Sequence, residues 1–300
     1  MDKVESILVA VERNGDARQA LVKSFVLARH FRARLELFLC DAEHAYTLRH
    51  VYDQRGVEQA ISACLADGRR YLESLSHSVA ADDVPISIDV ACESPLYEGI
   101  VHKVLRSCPD LVVKAGGPGA TGRPALSPSD WQLIRTCPVP LMITRGRPWQ
   151  PHPRFAAAID VSPDETPGLG RAILQTAQFL SQGCQGALDV VYSQRAANGS
   201  TESLLAEHTG MLGALATELG IDRSAVQVLQ GDPDQTLPQF ARDRRYDAMV
   251  LGALSHRPAV ATAVGTVTGR LVDSLDCDFI LVKPGTYASP VHAPQATARA

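Results

Sequence analysis

The residues with the most chemical promise lie in the second half of the chain. Asp160 closes an apolar run, Phe155 to Ile159 (FAAAI). Gly252 closes another, Ala248 to Leu251 (AMVL), and is followed by Ala253, Leu254 and Ser255. Nine residues after Ser255 come Gly265 and Thr266, at the head of a helical pattern. A glycine just past a strand lets backbone amides approach an anion closely. A Gly-Thr pair at a helix start offers unpaired N–H groups and a hydroxyl to the same anion. A strand-ending aspartate can accept hydrogen bonds from a base or a ribose. Taken singly, each has an ordinary meaning: a turn glycine, a capping threonine, a turn aspartate. Together, at these spacings, they point to a nucleotide site.

Such a site needs an open α/β sheet, because ligands bind outside the carboxyl ends of parallel strands where the strand order reverses. The chain supplies one twice. Short β-branched runs at 7–11, 35–39, 85–90, 111–113 and 140–143 alternate with helical patterns at 16–31, 57–78, 96–105 and 129–136. After a Pro-rich linker, Arg145 to Pro153, the alternation restarts. Strands are expected at 155–159, 187–191, 225–229, 248–251 and 279–282. Helices are expected up to Leu180 and over 203–219, 237–244 and 266–275. The halves match in detail: Ser94-Pro95 with Asp232-Pro233, Asp110 with Asp247, and Pro140 with Asp278. Alternation of this kind predicts parallel sheets covered by helices on both faces, in two duplicated domains. The expected boundaries are 1–147, 148–285 and a loose Pro/Ala/Ser-rich tail, 286–300.

Composition narrows the function classes. Of 300 residues, 45% are hydrophobic, enough for two cores, and the formal net charge of -4 gives no basic face for nucleic acid. No apolar stretch is long enough to span a bilayer, so no membrane insertion is expected. The N-terminus lacks the layout of a signal peptide. Seven cysteines, odd in number, scattered and never Cys-x-x-Cys, predict reduced thiols in the cytoplasm, with neither a disulfide frame nor a zinc site. His44, His50 and His102 lack metal-ligand spacing. No phosphate-loop or nucleophile-elbow motif occurs, and the glycine-rich Gly116-Gly117-Pro118-Gly119 follows the fourth strand of the first half, where a flexible loop is the expected meaning.

At the Gly252 to Thr266 loop the sequence resembles the universal stress proteins, specifically the tandem-domain E-type. That family's loop reads Gly, two residues, Gly, nine residues, then Gly-Ser or Gly-Thr; here Ser255 replaces the second glycine. Asp160 matches the aspartate closing the family's first strand. The likeness extends over about residues 5–292. It is strengthened by Ser127 to Pro138 (SPSDWQLIRTCP) and Cys277 to Val291 (CDFILVKPGTYASPV).

The resemblance implies two Rossmann-like domains, each with a five-stranded parallel sheet in the order 3-2-1-4-5. Their last strands would meet to make an intramolecular pseudo-dimer, which an exposed apolar edge would let pair again as a homodimer. It also implies ATP, often with Mg. Asp160 would then contact base or ribose. Gly252, Ser255, Gly265, Thr266, Val267 and Thr268 would surround the phosphates, and Leu251 and Val191 would line the adenosine side.

The first half departs from this pattern. Glu12 stands for Asp160, Ala115 for Gly252, and Ser127-Pro128 for Gly265-Thr266, with Asp130 adding negative charge. The first half is therefore expected not to bind ATP in the family manner. Three functions remain on the sequence: an ATP-binding stress-response module with at most slow hydrolysis, a nucleotide-free interaction scaffold, or an adenylating enzyme. Adenylating ligases carry a Ser-Gly-Gly-type loop after the first strand, and Asp160-Val-Ser-Pro163 stands in its place.

Overall fold

A computed structural model describes residues 1–13, 17–48, 54–79, 83–117, 126–145, 147–162, 165–194, 202–253 and 266–292. The chain divides into two compact units. One holds Glu5–Val139 and Ala288–Ala300, the other Met1–Val4 and Pro140–Tyr287.

In the Glu5–Val139 unit, the strands β1 (Ser6–Val11), β2 (Arg34–Cys40), β3 (Ile86–Ala91) and β4 (Leu111–Ala115) lie in the order β3-β2-β1-β4, all parallel. Every residue of β1 and β4 is buried. Both strands are mostly apolar for this reason, since helices cover both faces. The helices are α1 (Ala17–Phe31), α2 (Ala42–Leu48), α3 (Gln54–His77), α4 (Leu96–Ser107) and α5 (Pro128–Thr136). Helix α4 sits so close to the end of β2 that a Cβ on Gly99 would lie 2.4 Å from Cys40 Sγ. Asp110 Oδ2 accepts from the Glu5 and Ser6 N–H groups at 2.8 and 3.0 Å, tying the start of β4 to the start of β1.

In the other unit, β5 (Leu141–Thr144) and β6 (Arg154–Ala158) are joined by β7 (Ala187–Gln194), β8 (Val226–Gln230), β9 (Ala248–Gly252) and β10 (Asp278–Val282). Their order is β5-β10-β9-β6-β7-β8. The last strands of the two sequence halves, β5 and β10, do meet, and they pair antiparallel; the other pairings in this unit are parallel. Helices α6 (Leu169–Gly183), α7 (Glu202–Glu218), α8 (Pro233–Arg244) and α9 (Thr266–Ser274) cover the sheet.

Asp247 repeats the work of Asp110: its Oδ2 accepts from the Arg154 N–H at 2.8 Å. The Pro-rich linker is fixed to the same sheet edge. Asp278 accepts from the Arg145 N–H and from Trp149 Nε1, both at 2.7 Å, and the Trp149 ring meets Phe155 edge-on.

Three local outcomes differ from the sequence expectation. Helix α2 has no buried residue and so leaves no apolar stripe to read. Helix α6 begins only at Leu169, because Gly168 at φ 81° turns the chain into it. Helix α8 begins at Pro233, where proline suits a first helical position.

Candidate functional site

Strand β6 pairs with β7 on one side and β9 on the other, so its carboxyl end is where the connections diverge. Asp160 stands just beyond that end. Its Oδ1 accepts from the Ser162 N–H at 2.8 Å, the short-range turn typical of Asp. The Glu165 N–H in turn donates to the Ser162 carbonyl at 3.0 Å and folds the segment back. Burial, and then the charge of Asp160, push the Glu165 carboxyl up to about 7. The buried Tyr192 on β7 is also raised, first by burial and then by Asp160, and its ring meets His208 edge-on at 5.2 Å. Asp160, Glu165 and Tyr192 thus form one electrostatic group. A carboxyl poised near neutrality at a sheet's carboxyl edge is a functional-site signature. Glu165 lies in a loop with no periodicity, so spacing gave no reason to select it.

Gly252 ends β9, and its carbonyl accepts from Thr268 Oγ1 at 3.0 Å, pinning the first turn of α9 to the strand end. The N–H groups of that first turn have no intrahelical acceptor. A Cβ on Gly252 would lie 2.8 Å from Leu169 Cδ2, so the glycine also lets α6 approach. Helix α6 links the two parts of the site. Leu169 lies against Gly252, and a Cβ on Gly170 would stand 3.9 Å from the Asp160 carbonyl.

Val191 and Leu251 are interior, at 0% and 2% exposure, while Asp160, Gly252 and Thr268 are half-buried. Ser255 and Gly265 lie outside the described residues, and Thr266 and Val267 are described in backbone only. The donor set fits a nucleotide: a carboxylate acceptor at the end of β6, with N–H groups and a hydroxyl at the head of α9.

The equivalent place in the first unit is filled by the protein itself. Glu12, Lys114 and Asp130 stand where the second unit has Asp160, Leu251 and Thr268. Their side chains form one ion cluster, with Lys114 Nζ paired to Glu12 Oε1 and 2.7 Å from Asp130 Oδ1. Lys114 is 1% exposed and Asp130 0%. Burial alone would lower the lysine, but Asp130 and then Glu12 outweigh it and hold the ammonium charged, above its ordinary range. Ser127 and Asp130 close a reciprocal capping box on α5. Lys114 Nζ also donates to the Ala115 carbonyl at 3.3 Å, as Thr268 does to that of Gly252.

Comparison with known proteins follows this geometry. Residues 155–283 match the model of the universal stress protein family. Universal stress protein E of Salmonella typhi is 23% identical over 97% of this chain and 98% of its own length. Universal stress protein E of Escherichia coli K12 is 22% identical, with the same coverage. Among solved structures, a functionally unknown protein of Pseudomonas aeruginosa PAO1 superposes with TM-score 0.73 at 21% identity, covering 94% of this chain and 93% of that one. A universal stress protein of Archaeoglobus fulgidus superposes with TM-score 0.69 at 12% identity, covering 94% and 99%. Among the described residues, no helix is long and apolar enough to cross a membrane. The second half of the chain is similar to the universal stress protein family, and the chain as a whole is similar to the universal stress protein E relatives over nearly its full length.

Proposed function

We propose that this protein is a cytoplasmic stress-response module that holds one ATP, with Mg, on its second unit. One observation carries the reading. Asp160 and the Gly252–Thr268 pair stand at the carboxyl ends of the adjacent strands β6 and β9, on either side of the point where the connections diverge. Asp160 would take hydrogen bonds from the base or ribose. Gly252, Ser255, Gly265, Thr266, Val267 and Thr268 would surround the phosphates, and Val191 and Leu251 would form the apolar floor. Phosphate binding would use the amides at the head of α9. The bound Mg would neutralise phosphate charge.

The module would signal by binding rather than by rapid turnover. In the first unit, the Glu12–Lys114–Asp130 cluster puts two carboxylates and their own cation where a nucleotide would otherwise need donors. That unit would therefore act without ATP.

Calorimetry with ATP and Mg on the full chain tests the reading. Wild type should bind one ATP per chain, and Gly265→Asp, which sets a carboxylate against the phosphates, should bind none. Equal binding by both proteins, or none by wild type, would rule the assignment out.

A further inference from the structure

Away from the nucleotide crevice, the carboxyl ends of β2 and β3 gather side chains that the sequence scatters over fifty positions. Asp41 follows β2, His44 lies in α2, Cys64 in α3, and Cys92 follows β3. One ligand atom from each of Asp41, His44 and Cys64 lies within 4.8 Å of the other two. His44 Nδ1 is 2.9 Å from Asp41 Oδ2. The Cys92 thiol neighbours that of Cys64 but lies outside this group of three. Spacing along the sequence gives no metal-ligand pattern for these residues. Parallel strands bring their carboxyl ends side by side however far apart they lie in sequence.

We propose that Asp41, His44 and Cys64 bind a divalent transition-metal ion of the zinc type, with a fourth position left for water.

The donor chemistry selects that class. One imidazole, one carboxylate and one thiol form a mixed N/O/S set, which suits tetrahedral zinc and not calcium or magnesium. Bonds of about 2.0–2.3 Å would set tetrahedral ligands about 3.3–3.8 Å apart, against ligand atoms that now lie within 4.8 Å of one another. Asp41 holds His44 in place: its Oδ1 caps α2 by accepting from the His44 N–H at 3.1 Å, which leaves Oδ2 facing the ring.

A zinc-type ion takes cysteine as the thiolate, so binding at Cys64 releases its proton. Cys64 is buried while His44 is exposed, so the ion has an approach from solvent through α2.

Cobalt(II) is the probe, added to the reduced full-length protein, with zinc(II) as competitor. The expected result is one cobalt per chain, with a thiolate charge-transfer band and intense tetrahedral ligand-field bands that zinc abolishes. Cys64→Ser should lose the charge-transfer intensity. His44→Ala, at an exposed position that the fold does not depend on, should weaken binding by more than about tenfold. Cys108→Ser, at an exposed thiol outside the cluster, should change nothing. Absence of a thiolate band overturns the proposal, as does an identical spectrum in Cys64→Ser or an unchanged affinity in His44→Ala.

Discussion

Lys114 Nζ lies 2.7 Å from Asp130 Oδ1 inside the first unit, and neither side chain reaches solvent. Leu251 and Thr268 hold the equivalent positions in the second unit. The same fold therefore buries an ion pair at one crevice and sets an apolar and a hydroxyl side chain at the same two positions of the other.

Breaking the cluster from one side should be costly. Lys114→Leu strands the Asp130 carboxylate, and the loss should be about 3–5 kcal/mol in denaturant unfolding. The double change Lys114→Leu with Asp130→Thr installs the residues of the second unit and should recover most of that loss. A double mutant no more stable than the single one would show that the pair does not act as a unit.

Glu165 gives the second unit a stability that depends on pH. Its folded value of about 7 lies above the ordinary 4.5, so the folded state binds the extra proton. The group's contribution is fully present below about 4.5 and is lost as pH rises through 7. With allowance for partial solvation, the change should be about 2 kcal/mol. Urea titrations across this range should show the slope in wild type and a flatter profile in Glu165→Gln. Asp160→Asn, which removes the second cause of the shift, should move the midpoint toward the ordinary carboxyl range. A profile identical in all three proteins would contradict the assignment.

Asp278 anchors the linker by accepting from Trp149 Nε1 and the Arg145 N–H. Asp278→Ala leaves both donors without that acceptor and should cost about 2–4 kcal/mol. It should also alter Trp149 fluorescence at low denaturant, before global unfolding. An unchanged Trp149 signal up to the main transition would mean the linker is held by other contacts.

The fold was legible because buried parallel strands announce themselves as β-branched runs, and the second copy repeated the first. The role of Asp110 and Asp247 was legible only as a coincidence of position; the structure explains it, since each ties a fourth strand to the first. The ion cluster left a signal that went unread: Lys114 interrupts a strand that is otherwise all apolar, LVVKA. A lysine there must be paired. The sequence shows Asp130 as added negative charge; in the structure that charge is paired with Lys114. Helix α2 and the Asp41–His44–Cys64 group stayed hidden for a different reason. The helix has no buried face, and the group's members become neighbours only once β2 and β3 pair.

Gly252 carries two reasons for being a glycine. The sequence suggests a backbone left bare for phosphate; the structure adds the approach of Leu169. Gly252→Ala should cost about 1–2 kcal/mol through that contact alone, because the flexible end of Leu169 can shift. A larger loss of ATP affinity than of stability in the same variant would separate the two roles. Losses in proportion would leave only the packing role.

The central claim is that nucleotide occupies the second unit and not the first. Photolabelling the full chain with 8-azido-ATP and Mg, then mapping the modified peptides by mass spectrometry, tests it directly. The account predicts labelled peptides only within residues 155–283 and protection by excess ATP. Protectable label within residues 5–139, or no protectable label anywhere, would contradict it.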